Sequence, residues 1–446
     1  MGGSVARRII RSLLRIVRGT RQAPRHDARR PKDFGEVSRL LGKTGPAPID
    51  GIGGERLHVR PLRTILALIE PARSKAFASL GIVGAETVVP AGSYARPPID
   101  RVDLSDADET TRTVFSHYMS IRTILYSDVS LVRLARARLT GDGTVITRDG
   151  TVLEESVREA VVYGMPNHGL VAIEPGRVYR PPEAPVRHVP GRTLMIGRLF
   201  FQNFGHWLVE GLGQAALLRD RFGPDAIQVV VCEQPFSGMR DIVHETLSAC
   251  FSGSRFEILE RPHTETWSFE ELHYCTPVYE PPLIKVPQAV SAASDAMIEK
   301  VGLSPDSPKD ARRIYISRRK VRHRRLLNEQ ELEPLCAKFG FETVFPEDMP
   351  IGEQVRLFRS SSIVMGVKGA ALTNVMFCHP GSRLIVLSPS DNPDPFFWNI
   401  ATAKGMAYSE LFGRVAQEEG VRGHRDFCVD PRKFNIFLES QLNALQ

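Results

Sequence analysis

Residues 313–387 alternate strand and helix signals without a break, and this alternation constrains the fold more than any other feature of the chain. Residues 313–317 (RIYIS) read as a strand. Asn328 then opens a helix with Glu331 three residues on, a capping-box arrangement, and Gly340 ends it. Residues 342–345 read as the next strand, Pro350 begins a helix that runs to about Arg359, and residues 363–365 form a third strand. Gly366 and Gly369 lead into a short helix ending near Phe377, and Pro380-Gly381 turns into the strand 384–387. Strands alternating with helices fold as a parallel sheet with crossover helices. The layout predicts a doubly wound sheet that takes its ligand at the carboxyl ends of its strands.

The same alternation starts further upstream, at about residue 193. Residues 193–196 read as a strand, and 204–218 as a helix, with Trp207, Leu208, Leu212, Ala215 and Leu218 recurring at near-helical spacing. Residues 227–232 form a β-branched run of the buried-strand type, 239–250 a helix and 256–259 a strand. Four prolines between 276 and 290 suit a connection between domains, and a helix over 289–302 follows. Residues 61–190 carry shorter runs, including 64–69, 81–89, 144–146 and 169–173, and are the least readable part. With 446 residues, two or three domains are expected. The division predicted is a basic arm over 1–60, an α/β domain over 61–300, a Rossmann-like domain over 305–430 and a terminal helix over 431–446.

Three constellations could carry chemistry. The first, Gly366-Val367-Lys368-Gly369-Ala370-Ala371-Leu372-Thr373-Asn374, follows a strand and opens a helix. Glycines there let a backbone approach a ligand closely, and the free N–H groups of a helix start favour phosphate. Lys368 would add a full positive charge, and Thr373 and Asn374 either bind the same ligand or face the loop. The alternative is tight packing, and the spacing matches neither the P-loop nor the dinucleotide fingerprint. The second is Ser317-Arg318-Arg319-Lys320 with Arg322, Arg324 and Arg325, just past the end of a strand. Arginine forks suit a diphosphate, against the bland reading of a solvated basic loop. Not all of these cations can face one ligand, and Arg318 and Arg325 are singled out. The third is the run 203–210, NFGHWLVE, where His206 and Glu210 stand four apart. A carboxylate beside an imidazole can serve as a general base toward a hydroxyl, but the same pair can be a helix cap and an ordinary ion pair. The cluster Phe396-Phe397-Trp398 reads as core, and Asp391 and Asp394 as a turn rather than a metal site.

Taken together and in this order, NFGHWLVE at 203–210, YISRRK at 315–320, RRLLNEQEL at 324–332, Glu353-Gln354 and GVKGAALTN at 366–374 resemble glycosyltransferase family 61. That family includes bacterial capsular polysaccharide biosynthesis proteins and eukaryotic O-linked N-acetylglucosaminyl and xylosyl transferases. The resemblance spans about 203–390. It implies a GT-B-like α/β fold, two Rossmann-like doubly wound domains facing a cleft, and inverting transfer of a sugar from a nucleotide-sugar donor, UDP-linked, to a glycan or polysaccharide acceptor. It puts Asn203, Arg318, Arg325, Lys368, Gly369, Ala370, Thr373 and Asn374 on the donor side. Glu210 becomes the base, with His206 as its rival. No metal and no cofactor are implied. The family usually carries His-Gly-Ala where this chain has Lys368-Gly369-Ala370, so a non-catalytic nucleotide-sugar-binding or scaffold protein is the alternative. A kinase-like reading is disfavoured by the missing P-loop.

Charge and cysteine usage narrow the partners. The formal net charge is +7, part of it near the N-terminus, which suits an anionic partner. No zinc-finger spacing and no aromatic RNA-binding signature points to nucleic acid. Residues 5–18 interleave arginines with Ile, Leu and Val, a pattern that can lie on an anionic membrane surface and is too interrupted for a secretory signal. No run of about 18 apolar residues occurs. Six widely spaced cysteines without a CxxC pair suit a reducing compartment. The expectation is a cytoplasmic protein, with peripheral contact to the inner membrane face through residues 5–18. The arginine-rich, lysine-poor makeup hints at a high-GC bacterium.

Overall fold

The computed structural model describes residues 55–163, 172–174, 177–180, 185–198, 200–222, 227–234, 236–253, 255–280, 284–304, 311–417 and 419–442. Residues 1–54 of the expected basic arm, with its amphipathic stretch 5–18, lie outside these residues, whereas residues 55–60 form a strand rather than part of a loose arm. Among the described residues no helix is long and apolar enough to cross a membrane.

The chain forms two compact units, and they are not consecutive halves. One takes in residues up to Gly92, Leu125–Asn203 and Glu210–Pro281; the other takes Ser93–Ile124, Phe204–Val209 and Pro282–Gln446. The proline-rich connection is thus a boundary, near 281 rather than 300. Two pieces of the expected N-terminal domain belong to the C-terminal unit.

In the C-terminal unit five strands lie side by side in the order Phe341–Val344, Arg312–Ile316, Ser361–Val367, Arg383–Pro389 and Ala407–Val415, all parallel. Numbered along the chain this is second, first, third, fourth, fifth, the flavodoxin-like doubly wound order. Helices Glu329–Lys338 and Ile351–Arg359 make the first two crossovers. The central strands are buried along nearly their whole length, as a parallel sheet covered on both faces requires. Gly340 ends the first crossover helix with φ +74°, the left-handed turn that a helix stop commonly uses. The capping box expected at its start is not formed. Asn328 instead brackets Val429, donating to its carbonyl at 2.8 Å and accepting from its N–H, while Glu329 accepts the buried Tyr315 hydroxyl at 2.8 Å.

The same unit is completed from far upstream. Arg101–Asp103 pairs parallel with Ala407–Val415, and helix Glu109–Ser120 lays Phe115 against Trp398 and Phe412. Arg96 is buried over the Trp398 ring, 3.4 Å from its centroid, and donates to Asn399 and to the Tyr118 carbonyl. Burial lowers its pKa to about 10. Phe397 and Trp398 are core, as expected, whereas Phe396 is half-buried with the Lys285 ammonium 3.9 Å from its ring centroid.

In the N-terminal unit Arg187–Met195, Ile227–Cys232 and Phe256–Arg261 run parallel, and Trp267–Cys275 pairs parallel with the first of them. On its other side Trp267–Cys275 meets Val129–Ala135 antiparallel, which meets Ile82–Val89. Short antiparallel strands Arg138–Thr140 and Thr144–Ile146 extend this sheet, and Glu55–Arg60 joins it parallel to Val152–Leu153. The cysteines are all free thiols, five of them buried and Cys428 half-buried.

Candidate anion site at the carboxyl edge of the C-terminal sheet

Strands Arg312–Ile316 and Ser361–Val367 are neighbours, yet the chain leaves them toward opposite sides of the sheet. This is the topological switch point, where doubly wound sheets bind ligands. Arg318 follows the first strand and Gly369 the second, and the structure brings them together. A Cβ built on Gly369 would fall well inside van der Waals contact of the Arg318 guanidinium. The arginine therefore lies flat over this glycine, and glycine is needed for that close approach. Its φ of 179° is ordinary extended backbone.

The basic run sorts into engaged and unengaged cations. Arg319 pairs with Glu333, Lys320 with Asp348, and Arg325 makes a forked contact with Asp426 at 2.7 and 2.9 Å. Arg325 was expected to face the ligand; it sits exposed on the surface with its charge already matched. The adjacent Arg324 turns inward instead. A left-handed backbone, φ +54°, turns its side chain to a half-buried position, and its N–H donates to the His424 carbonyl. Among the described residues neither Arg318 nor Arg324 has a carboxylate within ion-pair distance, and the Nε of each is buried without a hydrogen-bond partner. Burial and then the charge of Arg324 lower the Arg318 pKa to about 10. Burial lowers Arg324 too, with Asp394 acting the other way. Two cations that repel each other in a partly desolvated place form a site whose energy falls when an anion enters.

Histidines border this pair. Arg318 donates to the His323 carbonyl at 2.9 Å, and the His323 and His424 rings are 6.3 Å apart. Burial, Arg324 and His323 lower the His424 pKa. The buried Asp391 carboxylate has Arg425 at 3.6 Å. Sequence reasoning had noted Arg324 only as part of a charge run and had missed both histidines, because they are assembled from loops far apart along the chain.

The glycine loop departs from expectation at Lys368. Lys368 is 1% exposed and turned into the unit, its ammonium 2.6 Å from Glu410 and 2.9 Å from the Asn392 carbonyl. It offers no charge to a ligand at the loop. Asn374 is buried and donates to Gln354 at 2.7 Å and to the Ala371 carbonyl, and Thr373 is buried beside it. The Thr373 hydroxyl and the Asn374 side-chain oxygen are buried without a hydrogen-bond partner. The helix that follows, Ala370–Phe377, is a 3₁₀ helix, with Ala370 at its first position.

The 204–218 helix is interrupted. It runs as α over Phe204–His206, as a π-turn over Trp207–Gly211 and as α again over Leu212–Leu218. Turns of the π type occur disproportionately at functional sites. The piece Phe204–His206 packs against Ala370–Phe377 within the C-terminal unit, so the His206 segment adjoins the glycine loop's helix. His206 is half-buried, with its ring 5.5 Å from that of Phe396. Glu210 belongs to the N-terminal unit and is 0% exposed. Its carboxylate lies 3.9 Å from Arg198, which also has Glu159 at 3.6 Å. Burial opposes the charge on Arg198, but Glu159 and Glu210 outweigh it and raise the pKa. The Glu210 carboxylate is thus fully enclosed, whereas His206 is partly exposed. Asn203 is exposed, in the N-terminal unit. Among the described residues no three His, Cys, Asp or Glu side chains gather as a metal-ligand set.

The C-terminal unit is a doubly wound α/β sheet with Arg318 and Arg324 at its switch point. Residues 204–385, less than half of the chain, match the family Glycosyltransferase 61. Two curated proteins are similar over about a quarter of the chain. The EGF domain-specific O-linked N-acetylglucosamine transferase of Drosophila melanogaster is 28% identical over 120 residues, 26% of this chain and 23% of that protein. An alpha-1,3-arabinosyltransferase of Oryza sativa subsp. japonica is 32% identical over 119 residues, 25% of this chain and 20% of that protein. Among solved structures, the E. coli heptosyltransferase WaaC with ADP is aligned over 57% of this chain and 98% of that one, at 12% identity and a TM-score of 0.26, too low to carry an argument.

Proposed function

We propose that this protein is a glycosyltransferase that holds the diphosphate of a nucleotide-sugar donor between Arg318, Arg324 and the backbone of Gly369 and Ala370. The observation that carries the reading is the Arg318 guanidinium lying over Gly369 at the switch point, with a second unpaired arginine beside it. The family match over 204–385 and the two named transferases support sugar transfer as the use of that site. A GT-B-like arrangement, a UDP-linked donor, a polysaccharide-type acceptor and inversion at the anomeric carbon are parts of this proposal.

In the proposed reaction the acceptor oxygen attacks the anomeric carbon as the bond from that carbon to the β-phosphate oxygen breaks. Negative charge grows on the departing diphosphate. Fixed cations aimed at that charge lower the barrier, because they need no reorganisation as it develops. His206 takes the acceptor proton. Glu210 and Arg198 hold the start of the continuing helix rather than touch the reacting atoms. The test is a screen of nucleotide sugars and glycan acceptors by mass spectrometry, run on the wild type and on His206→Gln. The reading expects one donor to be consumed and a glycosylated product to appear, and expects the variant to bind that donor and lose transfer by about 100-fold or more. Binding without transfer across all donors and acceptors would favour a non-catalytic binding protein. Full turnover by His206→Gln would remove His206 from the mechanism.

A further inference from the structure

A buried polar cluster in the C-terminal unit lies next to the anion site, around Lys368 and Glu410. The Lys368 ammonium is shared between Glu410 at 2.6 Å and the Asn392 carbonyl at 2.9 Å. The remaining capacity of Glu410 is taken up by the Ser388 hydroxyl at 2.5 Å and the Tyr408 hydroxyl at 2.6 Å. Phe115 and Phe412 close the space around the ammonium. A buried pair of this kind is poor evidence for stability, since two apolar or neutral groups of similar shape often do as well. What a charged pair does well is hold particular segments in one arrangement.

The segments held here are the loops at the carboxyl edge. Lys368 immediately precedes Gly369, over which Arg318 lies. Asn392 stands in the loop after strand Arg383–Pro389, and its side chain donates to the Gly423 carbonyl at 3.2 Å. That contact reaches the turn that carries His424, whose carbonyl accepts the Arg324 N–H. One ammonium thus joins the glycine loop, the 390–394 loop and the 420–426 turn, and through them both unpaired arginines.

We propose that Lys368 and Glu410 act as a buried clamp that positions the anion site: Lys368 is a positioning residue that works through Gly369 and Asn392 and does not touch the ligand. This rests on the anion-site reading above. The decisive variant is K368M/E410Q, which removes both charges, leaves the net charge unchanged and keeps a partner for Ser388 and Tyr408. K368M alone, which strands a buried carboxylate, is expected to melt well below the wild type. The double variant is expected to recover most of that loss. If the pair only supports the fold, pyrophosphate and UDP affinity measured by calorimetry will recover with it. If it positions the site, both probes will remain between about 2-fold and 30-fold weaker although the protein is folded.

A measurement on the unaltered protein removes the dependence on a variant that folds. On adding UDP, hydrogen exchange is expected to slow together at 368–371, 390–394 and 420–426. Slowing confined to 318–325 and 368–371 would overturn the clamp, as would wild-type affinity in the double variant. A wild type that binds neither pyrophosphate nor UDP would overturn the anion site itself and the clamp with it, which separates the two failures.

Discussion

Gly369 is a glycine because of what lies over it, and this gives the site a local test. A methyl group there would meet only the far end of a flexible arginine, so Arg318 would swing aside with little strain on the fold. Gly369→Ala should therefore leave the melting temperature nearly unchanged while weakening pyrophosphate binding by roughly 10-fold, the worth of one charge-assisted hydrogen bond. A second residue-scale prediction concerns His424. Burial and Arg324 keep its pKa below the ordinary value, and a bound anion would favour the protonated form. Anion affinity should then rise as pH falls below about 6.5. His424→Asn should flatten that rise, which titrations at several pH values would show. The place of Arg318 just past a strand was legible in the sequence, whereas nothing local reveals which of the adjacent Arg324 and Arg325 turns inward. The left-handed backbone at Arg324 decides that. The inward turn of Lys368 was equally hidden, since Glu410 lies two strands further along the chain and becomes its partner only through the pairing of those strands.

At the scale of elements, the last third of the chain was legible because each strand is a short apolar run and each helix has its own punctuation. Gly340 illustrates this. It stops helix Glu329–Lys338 with a positive φ and has nothing near its missing side chain. Gly340→Ala should cost about 1 kcal/mol in a denaturant titration, from the left-handed backbone alone, and should leave anion binding unchanged. The capping box failed as a prediction because the Asn328 side chain is committed to Val429 and leaves the helix start uncapped. The π-turn at Trp207–Gly211 left no periodic signal, because the flanking apolar spacing still reads as one helix. Strand Trp267–Cys275 carries a pH effect. Burial outweighs the Glu271 contact and lowers the His273 pKa. A histidine that resists protonation when folded contributes stability above the unfolded value, about 6.5, and loses it as pH falls toward the folded value. Thermal melts should fall across that acid window, and less steeply in His273→Gln.

At the scale of the whole molecule, the interleaving of the two units was not readable. Composition marks the proline-rich stretch near 281, but no local pattern tells that Arg101–Asp103 will add to the edge of a sheet built by the far end of the chain. Phe115 covers Trp398 and Phe412 in that arrangement. A fragment of residues 282–446 should therefore expose these rings and fail to unfold cooperatively. A sharp transition at the full chain's temperature would show that the upstream segment is dispensable. The stretch 61–190 was hard to read in part for the same reason: strand Val129–Ala135 pairs with Trp267–Cys275, far along the chain.

The central claim is that Arg318 and Arg324, brought to Gly369 by the strand order, bind a diphosphate. Calorimetric titration of pyrophosphate into the wild type, Arg318→Ala, Arg324→Ala and Arg325→Ala tests it most directly. The account predicts a loss of about 10-fold to 100-fold for each of the first two substitutions and wild-type affinity for the third, whose charge is already spent on Asp426. Equal weakening in all three variants, or undiminished binding without Arg318, would contradict it.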